Sequence, residues 1–350
     1  MAVTQEQVMA ALQAVRDPDL GADIVSLGFV KDVSIEEGVV RFKVQLTTPA
    51  CPVKELLQSE CAQVVGALDG VDSVEVEMTA QVRERAPSGQ ELMPGVRHCI
   101  AIASGKGGVG KSTVTVNLAA ALAATGARVG ILDADVYGPS IPLFLGCQGE
   151  RPFVRDNKII PIDRFGIKLM SLAFLLEEGQ AVLWRGPMVA KTVRQLLEDV
   201  DWGELDYLLV DLPPGTGDAP MSIAQLAPLT GVVIVTTPHN VAANIAGKSV
   251  LLFRELNAPI LGVVENMADY VCPHCGEVSR IFAGFSGAQL AENLGIPFLG
   301  SLPLDPLVGQ IGDQGRPAVL SYPDRPEAAA FRDIAGKVAQ QASIHTLASG

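Results

Sequence analysis

From about residue 98 onward, short apolar runs alternate with longer stretches of helical spacing. The apolar runs cover 98–103, 128–132, 206–210, 231–236, 260–265 and 297–300. Such runs do not alternate with polar residues, which is typical of parallel strands that are buried on both faces. We therefore predict an α/β fold with a doubly wound, mostly parallel sheet, whose ligand lies at the carboxyl ends of the strands. An Ala- and Gln-rich stretch, 327–343, predicts a final helix.

The first 85 residues follow a different pattern. Thr4 and Gln7 have the spacing of a capping box at the start of a helix. Apolar residues then alternate with polar ones over 40–46 and again over 74–78, which predicts two half-buried strands around a helix at 53–68. We predict a small α+β domain over 1–85, a Pro- and Gly-containing linker over 86–97, and a larger domain over 98–350.

A glycine-rich loop follows the first of the buried strands. Residues 105–112 read Gly-Lys-Gly-Gly-Val-Gly-Lys-Ser, and an Ala- and Leu-rich helical stretch comes next. A strand, a glycine loop and a helix place several backbone N–H groups on a phosphate. We predict that this P-loop binds ATP and Mg²⁺ through Gly105, Lys106, Gly107, Gly108, Val109, Gly110, Lys111, Ser112 and Thr113. No Asn-Lys-x-Asp guanine signature is present, which favours ATP over GTP.

Three aspartates come at the ends of neighbouring predicted strands. Asp211 ends an apolar strand as a Walker B acid does, and Asp133 and Asp135 follow another. Carboxylates at such positions hold Mg²⁺ or orient the attacking water. We predict Mg²⁺ binding by Ser112, Asp133 and Asp211, with Asp133 in a supporting position. Lys106, Lys111 and Asp135 are the predicted catalytic residues; an aspartate at a strand end can also be a turn residue or an N-cap.

Composition narrows the possible functions. The 350-residue chain carries a net charge of −13, which argues against nonspecific binding to nucleic acid or to an anionic membrane. No apolar run of eighteen residues and no secretory start is present, so we expect a cytoplasmic protein. Six cysteines are too few for a disulfide scaffold of this size.

Cys272 and Cys275 form a Cys-x-x-Cys pair that provides half of a tetrahedral thiolate site. Either the pair is redox-active or a second copy of the chain supplies the other two ligands across a twofold axis. Four thiolates suit both zinc and an iron–sulfur cluster. Cys51 precedes Pro52 at the predicted start of the 53–68 helix, where a helix N-terminus would lower its thiol pKa; it is otherwise a small buried apolar residue.

Several motifs resemble the Mrp/ApbC family of iron–sulfur carrier ATPases. They are Leu-Asp-Ala-Asp-Val-Tyr-Gly-Pro-Ser (132–140), Arg-Gly-Pro-Met (185–188), Val-Asp-Leu-Pro-Pro-Gly-Thr-Gly-Asp (210–218), Val-Thr-Thr-Pro (235–238) and Val-Glu-Asn-Met (264–267). A lysine at the second position of the P-loop, here Lys106, marks the deviant loops of dimeric ATPases. Residues 1–85, with Asp17-Pro18-Asp19-Leu20 and Thr47-Thr48-Pro49-Ala50-Cys51-Pro52, resemble the small domain of iron–sulfur assembly factors.

The resemblance implies a homodimer in which Lys106 reaches the partner's nucleotide and Cys272 and Cys275 hold a bridging 4Fe–4S cluster. It also implies that Asn266 contacts adenine, that ATP is hydrolysed slowly, and that the cluster passes to apo iron–sulfur proteins. Cluster-assembly factors are further implied partners.

The chain departs from the family pattern at three places: Ile245 replaces an acid, His239 replaces a glutamine, and 281–285 is a variant glycine-rich segment. Two alternatives share the same P-loop: a spatial-organising ATPase of the partition or septum-placing type, and a zinc-stapled dimer with a regulatory role. The sequence does not assign a role to Arg185-Gly186-Pro187-Met188 or to Cys51.

Overall fold

The structure, a computed structural model, describes residues 3–82, 92–175, 186–272, 274–275, 277–282 and 284–349. The chain divides into two compact units. One comprises Met1–Arg83 together with Ala339–Ala348, and the other comprises Glu84–Val338 with the last two residues. The first unit thus takes in residues 339–348 of the predicted second domain, and residues 86–91 of the predicted linker lie outside the described residues.

The first unit is a three-stranded sheet with helices packed on it. Its elements are α1 (Gln5–Leu12), β1 (Val30–Glu36), β2 (Val39–Leu46), α2 (Lys54–Gly66) and β3 (Ser73–Ala80). β2 pairs with β1 antiparallel and with β3 in parallel. The predicted capping box is present, since Gln7 N–H donates to Thr4 Oγ1 at 3.3 Å and Thr4 N–H donates to Gln7 Oε1 at 2.9 Å.

The second unit contains the remaining elements in the order β4 (Val96–Ser104), α3 (Lys111–Ala124), β5 (Val129–Asp133), α4 (Ile141–Phe144), β6 (Phe153–Arg155), β7 (Lys158–Ile160), β8 (Ile162–Arg164), β9 (Ile167–Ser171), a 3₁₀ turn (Leu172–Leu175), α5 (Gly186–Asp199), β10 (Leu205–Asp211), α6 (Asp218–Leu226), β11 (Gly231–Thr236), α7 (Asn240–Glu255), β12 (Ile260–Glu265), β13 (Tyr270–Val271), β14 (Val278–Ser279), α8 (Gly287–Leu294), β15 (Phe298–Ser301), α9 (Pro306–Asp313), α10 (Ala318–Ser321) and α11 (Pro326–Ser349). Helix α11 is longer at its C-terminal end than the predicted 327–343 stretch.

The main sheet has the strand order β15-β12-β11-β4-β10-β5-β9-β8. All of its pairings are parallel except that of β8 with β9. Each of the predicted apolar runs is one of these strands, which confirms the doubly wound fold. Strands β8 and β9 were not predicted, because both are short and Lys168 interrupts the apolar run of β9.

The parallel order brings the carboxyl ends of β4, β5, β10, β11 and β12 to one edge of the sheet. In register, Asp211 at the end of β10 lies opposite Asp133 of β5 and Ile102 of β4. The P-loop leaves β4 at this same edge, so the fold collects the predicted phosphate site and its acids in one place. No helix in the described ranges has the length and apolarity needed to cross a bilayer.

His98 is a buried basic residue, the third residue of β4. Its side chain is 1% exposed and stacks on Tyr207 with ring centroids 5.5 Å apart. Among the described residues, neither of its ring nitrogens has a hydrogen-bond partner. Burial lowers the pKa of His98 from 6.5 to about 4.

This burial predicts a loss of stability in mild acid. As the pH falls through 6.5, the unfolded chain takes up a proton at His98 while the folded chain stays neutral until the pH nears 4. We expect this residue to cost about 1 kcal/mol of unfolding free energy between pH 7.5 and 5.5. Urea titrations at the two pH values should show a smaller loss in His98→Phe than in the parent. An equal loss in both proteins contradicts the prediction.

Candidate nucleotide site and cysteine hairpin

The P-loop connects the end of β4 to the start of α3. Gly108 and Gly110 have φ angles of 78° and 80°, in the left-handed region that glycine adopts without strain. A Cβ atom at Gly110 would lie 2.3 Å from Nδ2 of Asn266, whereas one at Gly108 would meet nothing within 4 Å. Position 110 therefore needs glycine because Asn266 packs directly on it, whereas there is open space next to Gly108.

A cavity of about 230 Å³ lies over the loop and the first turn of α3. Its lining includes every residue from Lys106 to Thr113, together with Ser104, Asp135, Gly138, Ser140, Phe144 and Pro214. The unpaired N–H groups at the start of α3 make this end of the helix favourable for an anion. The predicted nucleotide-binding residues thus surround a single cavity, except Gly105 and Asn266.

Asp211 is the centre of a buried polar cluster behind this cavity. Its Oδ2 accepts hydrogen bonds from Lys111 Nζ and Ser112 Oγ, both at 2.6 Å. Its Oδ1 accepts a hydrogen bond from Thr115 Oγ1, also at 2.6 Å, and the aspartate side chain is completely buried. Thr115 was not predicted as a site residue; its position four residues after Lys111, on the same face of the helix, is the signal that could have found it.

Asp135 lies on the cavity side of the cluster. Its Oδ2 is 3.5 Å from Lys111 Nζ, and its Oδ1 accepts a hydrogen bond from the backbone of Tyr137 at 3.2 Å. Burial raises the pKa of Asp135, and the charge of Lys111 opposes the rise. The structure therefore brings the two predicted catalytic residues Lys111 and Asp135 together at the cavity.

Asp133 lies farther back, without lining the cavity. Its carboxylate accepts hydrogen bonds from Ser171 Oγ at 2.9 Å and from the backbone N–H groups of Asp135 and Ile141 at 3.2 and 3.3 Å. Burial, followed by the charge of Asp211, raises its pKa. These contacts place Asp133 as a support for the loop that carries Asp135.

Lys106 is half-exposed on the rim of the cavity. The backbone carbonyl of Lys106 accepts a hydrogen bond from Ser104 Oγ at 3.1 Å, which fixes the loop at this residue. No carboxylate among the described residues pairs with its side chain. The ammonium group is thus available to a ligand from the cavity or from outside it.

Asn266 contacts the P-loop but does not line the cavity. Its Nδ2 donates to the carbonyl oxygen of Val109 at 2.9 Å, and the side chain is buried. In this position Asn266 supports the loop; the predicted contact with adenine stays a prediction.

The residues present fit a nucleoside triphosphate with Mg²⁺. The α3 N-terminus and Lys111 suit the phosphates, and the hydroxyl of Ser112 together with the carboxylate of Asp211 suits Mg²⁺. When bound, the ion neutralises phosphate charge. Lys111 is held by two carboxylates here, so phosphate oxygens would compete with Asp211 and Asp135 for its ammonium group.

The two cysteines lie in the turn of a small hairpin on the second unit. Strands β13 and β14 pair antiparallel, and the N–H of Cys272 donates to the carbonyl of Glu277 at 3.0 Å to close the turn. Cys275 is exposed and Cys272 half-exposed. The backbone N–H groups of Cys275 and then His274 donate towards the sulfur of Cys272 and lower its pKa. The geometry therefore favours a thiolate at Cys272.

Within the described ranges, no three His, Cys, Asp or Glu side chains are grouped so that they could hold a metal ion. The pair thus offers two ligands from one chain, as the sequence predicts. Pro273 and Gly276 lie outside the described residues, as does Arg185.

The expectation for the Cys51 thiol was wrong. Helix α2 begins at Lys54 with Val53 as its N-cap, so Cys51 precedes the helix start by three residues. Burial raises the pKa of the Cys51 thiol to about 11; the backbone of Val53 opposes the rise, and the charges of Asp17 and Asp19 add to it. Desolvation and two neighbouring acids outweigh any effect of the helix end.

Comparison with known proteins places the chain. Residues 95–339 match the family model described as NUBPL iron-transfer P-loop NTPase, and residues 5–78 match that of the iron–sulfur cluster assembly protein domain. The chain belongs to the iron-transfer P-loop NTPase family. It also carries the assembly-protein domain at its N-terminus, as the Mrp/ApbC resemblance indicated.

Relatives cover nearly the whole chain. The iron–sulfur cluster carrier protein of Deinococcus radiodurans is 45% identical over 98% of this chain and 97% of its own length. The chloroplast Fe–S cluster assembly factor HCF101 of Arabidopsis thaliana is 45% identical over 97% of this chain, which spans 64% of the plant protein.

Solved structures show the same fold. A nucleotide-binding protein from Archaeoglobus fulgidus, determined in complex with ADP, has a TM-score of 0.58 and 43% identity over 65% of this chain and 89% of its own. The cell-division ATPase MinD of Pyrococcus furiosus has a TM-score of 0.53 over 69% of this chain and 98% of its own. At 24% identity, MinD shares the fold alone.

Gly110→Ala should weaken nucleotide binding, because the new Cβ would overlap Asn266 and the alanine backbone would be held at a positive φ. We expect at least a tenfold weaker affinity for ADP, of the order of 1.4 kcal/mol or more, measured by isothermal titration calorimetry.

Gly309→Ala is the matched control, since a Cβ at this position in α9 meets nothing within 4 Å. It should bind ADP as the parent does. Parental affinity in a folded Gly110→Ala protein would show that the loop tolerates a side chain there.

Proposed function

We propose that the protein is an ATP-binding, slowly hydrolysing iron–sulfur cluster carrier. Its homodimer holds a bridging 4Fe–4S cluster and delivers the cluster to apo iron–sulfur proteins, together with cluster-assembly factors. The observation that carries the proposal is that one unit contains both a complete P-loop site and an exposed cysteine pair with only half of a four-thiolate ligand set.

The cysteine pair supports a cluster shared between two chains. A single chain supplies Cys272 and Cys275, and a cluster takes four thiolates, so a second copy related by a twofold axis would complete the set. The exposure of Cys275 leaves room for a second chain, and the lowered pKa of Cys272 favours the thiolate that ligates metal. The cluster is the cargo, so an exposed site also suits its release to an acceptor.

The P-loop supports a switch that binds and hydrolyses ATP. Lys111 and the N–H groups of the loop would bind the phosphates, and Asp135, which lines the cavity beside Lys111, would orient a water molecule there. Burial raises the pKa of Asp135 although the charge of Lys111 opposes the rise, so this carboxylate would be a stronger base than an exposed aspartate. Lys106 has no carboxylate partner among the residues that the structure describes and would reach the triphosphate of the partner subunit.

The spatial-organising ATPase is not favoured. The relatives of matching length are carrier proteins, whereas the septum-placing ATPases share the fold at low identity. A net charge of −13 also opposes a nucleic-acid or membrane partner in this proposal. The zinc-stapled dimer uses the same two cysteines, and metal analysis separates it from the cluster carrier.

Cys272→Ser and Cys275→Ser should each abolish cluster binding. After anaerobic reconstitution with iron and sulfide, we expect the parent to hold about four irons per dimer and to show the brown absorbance of a cluster. Each substitution removes one thiolate from each chain, which is two of the four ligands of a symmetric site, so the variants should show neither. Iron, sulfide and zinc are quantified alongside molar mass.

Cys147→Ala is the control, because Cys147 is buried and has no second cysteine at metal spacing. It should keep the iron content of the parent. An unchanged cluster in both serine variants, or stoichiometric zinc without iron in anaerobically purified parent, defeats the proposed cargo.

Lys106→Gln should impair the ATP-dependent closure of the dimer. We expect about a tenfold or greater fall in phosphate release, because the variant cannot place a cation on the partner's triphosphate. Light scattering with a non-hydrolysable ATP analogue should also show less dimer. Lys31→Gln makes the same charge change on an exposed strand of the first unit and should behave as the parent; parental rates in Lys106→Gln would exclude the role across the interface.

A further inference from the structure

The segment that carries the cysteine pair, residues 266–286, begins on the P-loop. Its first residue, Asn266, donates to the carbonyl of Val109 at 2.9 Å. Gly110 packs so closely against Asn266 that a Cβ would lie 2.3 Å from the amide nitrogen and 3.6 Å from the terminal carbon of Met267. Any shift of the loop at Val109 or Gly110 therefore meets the start of the cysteine segment directly.

The segment ends on the first turn of α7. Phe285 N–H donates to Asn240 Oδ1 at 2.9 Å, and a Cβ at Gly284 would lie 2.5 Å from the carbonyl oxygen of Pro238. The rings of Phe282 and His239 meet edge to face with centroids 6.4 Å apart. The part of the segment that follows the hairpin is thus tied to the residues that begin α7.

Helix α7 in turn packs on the first glycine of the P-loop. A Cβ at Gly105 would lie 2.6 Å from the backbone carbon of Ile245 and 2.7 Å from the backbone nitrogen of Ala246. The backbone of α7 and the side chain of Ile245, whose Cγ2 would lie 2.8 Å from that Cβ, therefore pack directly on the loop at Gly105. A rigid helix in such contact moves with the loop, because a packed interface does not absorb displacement by compression.

The two ends of the segment are also tied to each other. The carboxylate of Glu265, the residue before the segment, accepts a hydrogen bond from the N–H of Gly287, the residue after it, at 2.8 Å. Glu265 is buried, and a Cβ at Gly287 would lie 2.9 Å from its side chain. The cysteine segment is therefore a closed loop whose base is fixed.

We infer that the cysteine segment is a nucleotide-responsive mount, in which the P-loop sets the position of Cys272 and Cys275 through two anchors, Asn266 at its start and the Asn240–Gly284 contact at its end. This inference rests on the proposed function and assigns Asn240 and Gly284 as positioning residues. Two anchors define the orientation of the hairpin, whereas one would leave it free to pivot. By linkage, nucleotide binding and cluster binding then affect each other by the same factor.

The test measures cysteine accessibility in the cluster-free protein. The alkylation rates of Cys272 and Cys275 are followed by peptide mass spectrometry without nucleotide, with saturating ADP, and with a non-hydrolysable ATP analogue. Cys51, in the first unit, is the internal reference. We expect nucleotide to change the rates at Cys272 and Cys275 at least about fivefold and to leave the rate at Cys51 unchanged.

Gly284→Ala should remove most of that nucleotide effect, because its Cβ would separate the segment from α7, while ADP affinity stays at the parental value. Gly247→Ala is the matched control in α7, since its Cβ would lie at an ordinary 3.6 Å from Leu290. A second pair tests the hydrogen bond: Asn240→Ala should lower the effect, and Asn240→Asp, which keeps the acceptor oxygen, should restore it. Arg254, in the last turn of α7, donates a hydrogen bond to the carbonyl of Leu294, and Arg254→Ala, which removes this bond, should leave the nucleotide effect intact.

Equal alkylation rates with and without nucleotide in the parent would overturn the inference. An undiminished nucleotide effect in Gly284→Ala and Asn240→Ala would also overturn it, because the change of rate would then come from closure of the dimer alone. Neither result depends on bound iron. The cluster-carrier proposal fails instead through the iron content of the serine variants, so the two failures are distinguishable.

Discussion

The nucleotide site depends on the hydrogen bonds that the buried carboxylate of Asp211 accepts. A fully buried carboxylate is costly unless cations and hydroxyls satisfy it, and here Lys111, Ser112 and Thr115 each contribute a hydrogen bond of 2.6 Å. These three residues all come from the first turns of α3, so the carboxylate fixes the helix start, and with it the P-loop, against the end of β10. Removal of one partner would leave charge buried without compensation.

In the proposed function, the same cluster would give the site the behaviour of a switch. Lys111 contacts two carboxylates, Asp211 at 2.6 Å and Asp135 at 3.5 Å. A triphosphate would compete for that ammonium group and change the balance of charge around Asp135. Because Asp133 holds the loop of Asp135 from behind through Ile141 and Ser171, the change would be confined to the cavity side. The site is thus rigid on one side and adjustable on the other.

The cysteine hairpin gains its place from close backbone contacts more than from its own strands. Strands β13 and β14 are two residues each, which is too short to hold a defined position alone. Because Gly105, Gly110 and Gly284 have no side chains, the P-loop packs closely on α7 and on Asn266, and the cysteine segment packs closely on the start of α7. Departures from the family pattern at His239 and Ile245 fall on this contact zone, where a change of side chain alters packing before it alters chemistry.

The sequence by itself determined the class of the fold, the P-loop and the two neighbouring thiols of Cys272 and Cys275, because these depend on local signals. The signals are uninterrupted apolar runs, glycine spacing and a Cys-x-x-Cys turn. It also located the three aspartates, since each follows a strand. Only the tertiary structure decided which of them line the cavity, that Thr115 donates to Asp211, that Asn266 donates to the carbonyl of Val109, and that Cys51 is desolvated beside Asp17 and Asp19. Those features depend on burial and on contacts between residues up to 157 positions apart, which no local pattern encodes.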